Sequence, residues 1–121
     1  MPLIKPNVLR NCALISLIIF VACLFIGGEQ PGAGSIFPPP WDKLAHIIAY
    51  GSIGVLLGLA FPNCNLYWII IVVVVIGGAD EVHQIFLPGR QAGLDDWAAD
   101  WVGAVFSLPS VIYLRRIFYS V

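Results

Sequence analysis

Charge is what this chain has least of. Its 121 residues include 6 Lys and Arg and 7 Asp and Glu, so charged residues make up 11%. Soluble globular chains carry about 25%. So little charge cannot cover a water-facing surface. The net charge of −1 says nothing useful about partners, but the lack of a basic stripe argues against nucleic acid. Cysteine is scarce too: Cys12, Cys23 and Cys64 are odd in number and have no C-x-x-C spacing. That argues against a disulfide framework and a thiolate metal site, and leaves three small apolar packing residues. No internal repeat is visible, and the length allows one domain spanning residues 1–121.

Apolar sequence is abundant instead. Hydrophobic residues make up 60% and the mean hydropathy is +0.91. Four apolar stretches can be placed, at about residues 9–27, 42–61, 66–86 and 95–119. Each is near the roughly 20 residues that a helix needs to cross the hydrocarbon core. Helices are expected because lipid cannot satisfy an exposed backbone. The run IIIVVVVIGG is β-branched, but a lone strand cannot span a bilayer. The fold class is therefore an all-α membrane protein, with four transmembrane helices in a compact bundle.

The connections carry Gly and Pro. EQPGAGSIFPPPW is an irregular loop, PNCN a tight hairpin, and LPGRQAGL holds the turn signal Pro88-Gly89. Asp95 or Asp96 is expected to cap the fourth helix, and Pro109 to kink it. Lys5 and Arg10 precede the first span, and Arg115 and Arg116 follow the fourth. The positive-inside rule then puts both termini in the cytoplasm. A cleaved signal peptide is the other reading of the first stretch, but its apolar run is long for one.

All seven acids (Glu29, Asp42, Asp80, Glu81, Asp95, Asp96 and Asp100) lie in or beside the two connections at the other face, with His46, His83, Lys43 and Arg90. Asp42, His46 and Tyr50 share one face of the second helix by their spacing. Asp80, His83 and Gln84 share one on the third, and Asp96, Asp100 and Gly103 one on the fourth. Tyr50 lies about 12 Å deeper than Asp42 at the helical rise. Lipid-facing polar stripes are untenable, so the three must face one another around a polar pocket. Any one of these residues is more readily a network member than a ligand. Asp42 with Arg90 and Lys43 with Glu81 would be ordinary interface pairs. Taken together the groups exceed what four helices need for specificity.

Two histidines with Asp42, Asp80 and Glu81 offer imidazole and carboxylate donors for a divalent metal. Lys43 and Arg90 favour an anion over a bare cation, so no resident metal is expected and no cofactor is assigned. The catalytic candidates are His46, as acid–base group, with Asp42, Glu81 and Asp96. The ligand-binding candidates are Lys43, Arg90, Tyr50, Gln84, His83, Asp80 and Asp100.

The segments WDKLAHIIAYGSIGVLL and DEVHQIFLPGRQAGLDDWAADWVGAVF resemble the VanZ-like membrane proteins. Asp42, Lys43, His46 and Tyr50 match that family's D-K-x-x-H-x-x-x-Y. Glu81, Gln84, Phe86, Pro88 and Arg90 match its E-x-x-Q-x-F-x-P-x-R. Asp96 and Gly103 match its D-x-x-x-N-x-x-G, with Asp100 where the family commonly has Asn. The resemblance covers about residues 41–113. It implies a small multi-pass protein of the bacterial cytoplasmic membrane and cell envelope. The founding member is linked to resistance to the glycopeptide teicoplanin. The partner expected here is an anionic membrane lipid or lipid-linked precursor, either bound or modified by a transferase or hydrolase. The alternatives are a non-catalytic lipid-binding or structural accessory, and a small transporter or channel subunit.

Overall fold

The computed structural model describes residues 3–121 as four long helices. They are α1 (Pro6–Gly28), α2 (Trp41–Ala60), α3 (Leu66–Ile85) and α4 (Leu94–Tyr119). No strand occurs among the described residues. All four helices are long and apolar enough to cross a membrane. Each sequence-derived span meets its helix to within three residues at either end. Pro6 opens α1, where a missing N–H costs nothing. Gly32 and Gly89, with φ of 79° and 74°, make the two connecting loops turn where a side chain would be strained.

The outer surface is apolar to a degree that water would not tolerate. Ile18, Ile48, Val75 and Phe106 are 61%, 61%, 64% and 72% exposed. Contiguous apolar surface of this kind marks contact with lipid or with other protein. The core is small and lies between α2, α3 and α4, around Tyr50, Ile53, Ile69, Val73 and Val111. α1 packs mainly on α2.

The closest packing joins α2 to α4, and small residues permit it. A Cβ added at Gly103 would lie 2.6 Å from the Ile47 carbonyl oxygen and 2.9 Å from the Gly51 nitrogen. A Cβ at Gly58 would lie 2.5 Å from a Val111 methyl. Even alanine at Gly103 meets backbone, which cannot step aside, so the two helices would have to part.

The far end of the bundle is closed by a residue that the sequence marked only as a basic group near the end of the fourth span. Arg115 is 7% exposed. Its Nε donates to the Gly58 carbonyl at 3.0 Å, and its Nη1 and Nη2 to those of Cys64 and Phe61 at 2.9 and 2.8 Å. These oxygens belong to the end of α2 and the hairpin after it. Their own helix cannot satisfy them, so the guanidinium caps the turn. The Tyr119 hydroxyl adds a bond to the Leu59 carbonyl at 2.7 Å.

One local expectation needs correcting. Neither Asp95 nor Asp96 caps α4: Gly93 is the cap residue, and both acids lie in the first helical turn. They still suit the positive end of the helix dipole there. Pro109 lies inside α4, which runs on unbroken to Tyr119.

Candidate functional site

The ends of α2, α3 and α4 opposite Arg115 carry the polar groups in two tiers. In the upper tier the Lys43 ammonium lies among three carboxylates. Asp42 is at 2.8 Å, Asp95 at 3.0 Å and Asp96 at 2.5 Å. In the lower tier, one helical turn deeper, the His46 Nδ1 meets the Asp100 Oδ1 at 2.7 Å. Tyr50, one turn further along α2, donates its hydroxyl to the Asp80 Oδ2 at 2.9 Å. The Tyr50 ring stacks on His46, with centroids 6.0 Å apart and planes 6° from parallel. Helical phase on α2 puts Lys43, His46 and Tyr50 on one side, and each finds its partner on a different turn of α3 or α4.

Glu81 joins the lower tier from α3. Its Oε2 accepts the Gly93 N–H at 3.0 Å, which ties the start of α4 to α3. Glu81 and Asp100 are 8% and 0% exposed. Each keeps one enclosed carboxylate oxygen, Oε1 and Oδ2, without a hydrogen-bond partner. The Asp100 Oδ2 fits against the bare Cα of Gly77: a Cβ there would lie 2.6 Å from it. One donor atom each of His46, Glu81 and Asp100 lie within 4.8 Å of one another.

Beside these tiers opens a cavity of about 1170 Å³. α1 gives it an apolar wall of Phe20, Cys23 and Leu24. The polar wall includes Asp42, Lys43, His46, Tyr50, Asp80, Gln84 and Asp96. The two loops form its rim through Gly34, Phe37, Arg90 and Gln91. Arg90 makes no ion pair among the described residues, and its side chain packs over Gly34.

The site residues picked out by spacing therefore gather at one end, with three differences. Glu81 and Asp100 lie behind the cavity wall, not on it. His83 turns away to α1, where its Nε2 is 2.9 Å from the Glu29 Oε1 and its ring stacks on Phe25. The pairs Asp42–Arg90 and Lys43–Glu81 do not form; Lys43 is taken by acids of its own tier. The role of Asp95 was missed, although its place beside Asp96 in the first turn of α4 was a signal. Trp97 donates its Nε1–H to the Val74 carbonyl at 3.0 Å.

A family model described as VanZ/LLP1 matches residues 4–116, nearly the whole chain. The chain belongs to the VanZ/LLP1 family. No curated protein and no solved structure matches it. With four helices able to cross the bilayer, this VanZ/LLP1 member is a multi-pass membrane protein of the cell envelope. The matched range holds both polar tiers, the Arg90 loop and the Arg115 cap.

Chemically, the lower tier holds an imidazole oriented through one nitrogen by a carboxylate, which leaves the other nitrogen available as a base or ligand. The upper tier is a structural node. A double-mutant cycle on Lys43→Gln and Asp96→Asn in detergent should give a coupling of about 0.5–3 kcal/mol. Arg90→Gln should leave the melting temperature unchanged. Equal destabilisation by Arg90→Gln and Lys43→Gln would contradict the assignment of partners.

Proposed function

We propose that this protein binds the anionic head group of an envelope lipid, or of a lipid-linked precursor, in the cavity beside α2. The observation that carries the reading is the cavity's two-sided lining. Apolar α1 suits an acyl or prenyl chain, the facing wall is polar, and an unpaired guanidinium sits at the rim. Concave sites with an apolar body and a few convergent polar groups are the usual form of a ligand pocket. Arginine suits a phosphate because its planar fork makes two parallel bonds. The grip rests on Arg90 more than on Lys43, whose charge three carboxylates already offset. Tyr50 and Gln84 line the pocket below the head group.

A second reading, turnover of the same lipid, is favoured by the His46–Asp100 pair. A histidine held in this way suits general acid–base catalysis by a transferase or hydrolase, with Glu81, Asp42 and Asp96 as neighbouring carboxylates. A transporter or channel fits less well. Below Tyr50 the bundle is filled by Ile53, Leu57, Val73 and Val111, and the Arg115 cap closes the far end. A drug-excluding role against glycopeptides would follow if the bound lipid were their target.

The cavity opens outward in this proposal, since Lys5, Arg10, Arg115 and Arg116 gather at the other end. A cysteine placed at Ser35 should react with an impermeant label from outside the cell; protection there with labelling at Asn63 would reverse the topology. For the ligand, purified protein should retain phosphatidylglycerol over phosphatidylcholine from mixed vesicles in native mass spectrometry. That preference should fall roughly tenfold in Arg90→Lys, where one planar two-pronged contact is lost. Equal retention of the two lipids by the wild type would contradict the head-group reading.

A further inference from the structure

Two buried carboxylates and one imidazole meet in the lower tier, and no lysine or arginine among the described residues pairs with them. Lys43 is held in the upper tier by Asp42, Asp95 and Asp96, and Arg90 stays at the cavity rim. An uncompensated charge at this depth is costly, and a carboxylate oxygen enclosed without a partner adds to that cost. Glu81 Oε1 and Asp100 Oδ2 are both in that state, on side chains more than nine-tenths buried.

We infer that His46, Glu81 and Asp100 form a binding site for a divalent transition-metal ion, zinc by the nature of the donors. Imidazole with carboxylate oxygen is a zinc-type ligand set, and three protein ligands leave a fourth position open. The donor atoms lie within 4.8 Å of one another. A tetrahedral ion with bonds of about 2.0 Å holds its ligands roughly 3.3 Å apart, so the ion would replace the direct His46–Asp100 hydrogen bond and side-chain rotations would close the site. The outer supports exist already. The Gly93 N–H fixes Glu81 through Oε2 and leaves Oε1 free. Tyr50 stacks on His46, and Gly77 makes room for Asp100. Such supports orient metal ligands and raise affinity. His46 lines the cavity, which gives the ion an entry path and turns the open position towards the ligand space.

The donors argue for the site on their own. One consequence rests on the head-group reading: the ion would be the cation to which a phosphate oxygen binds, in a pocket that otherwise holds more carboxylates than fixed cations. It would also explain an acid at position 100 as a metal ligand.

The test uses the full chain in nanodiscs, stripped with a chelator and titrated with zinc chloride. The wild type should bind about one equivalent saturably, and His46→Gln and Glu81→Gln should each weaken binding at least roughly tenfold. Zinc should raise the wild-type melting temperature and leave both variants unmoved. Should the variants fold poorly, cobalt on the wild type decides. Tetrahedral d–d bands without thiolate charge transfer support the site. Absent bands, or thiolate bands from the cysteines, overturn it. Wild-type zinc binding no tighter than in the variants also overturns it. Phosphatidylglycerol retention by protein that binds no zinc refutes the metal and leaves the head-group reading standing. Zinc binding without lipid preference supports the metal while refuting the head group.

Discussion

Hydrocarbon offers nothing to a charge, and that constraint organises one whole end of this protein. Six acids stand on the adjoining turns of α2, α3 and α4. None is stable against lipid, so each must turn to protein, to a cation or to a water-filled cavity. The three helices consequently face one another with their polar sides. Their apolar sides are left for the bilayer, as the exposure of Ile48, Val75 and Phe106 shows. Packing in a membrane has no hydrophobic drive of its own. Polar pairing at one end and glycine contacts along α2 and α4 supply what holds the bundle together.

The two ends solve opposite problems. Near Arg115 the groups to be met are backbone carbonyls at the end of α2 and in the hairpin, and one guanidinium donates to three of them. Near His46 the groups in excess are carboxylates, and the protein's own cations fall short. A sealed end and an unbalanced end suit a protein that takes a ligand from one side only. Ionisable groups buried in a membrane bundle are candidates for a functional site by default.

Helical phase made much of this legible before any coordinates. Asp42, His46 and Tyr50 share one face of the helix that a membrane-spanning segment must form, and lipid forbids that face from pointing outward. Phase does not fix the axial offset between helices, however. The alternative that paired Lys43 with Glu81 therefore fails, and Lys43 meets Asp42, Asp95 and Asp96 instead. His83 follows the same logic. It lies one residue from Gln84, about 100° around the helix, and that step carries it to α1 and Glu29. Arg115 was hidden for another reason: charge rules count basic residues near a membrane and take no account of carbonyls that need a donor.

The central claim is that the polar end of the bundle holds an anionic head group at Arg90 instead of merely fixing the helices. Solid-state NMR of the protein in phosphatidylglycerol bilayers measures this directly, as the distance from lipid ³¹P to the ¹⁵N-labelled Arg90 guanidinium. Bidentate pairing predicts about 4 Å, with the signal lost in Arg90→Gln. An Arg90 guanidinium with no phosphorus within dipolar range, paired instead to a protein carboxylate, would contradict the account.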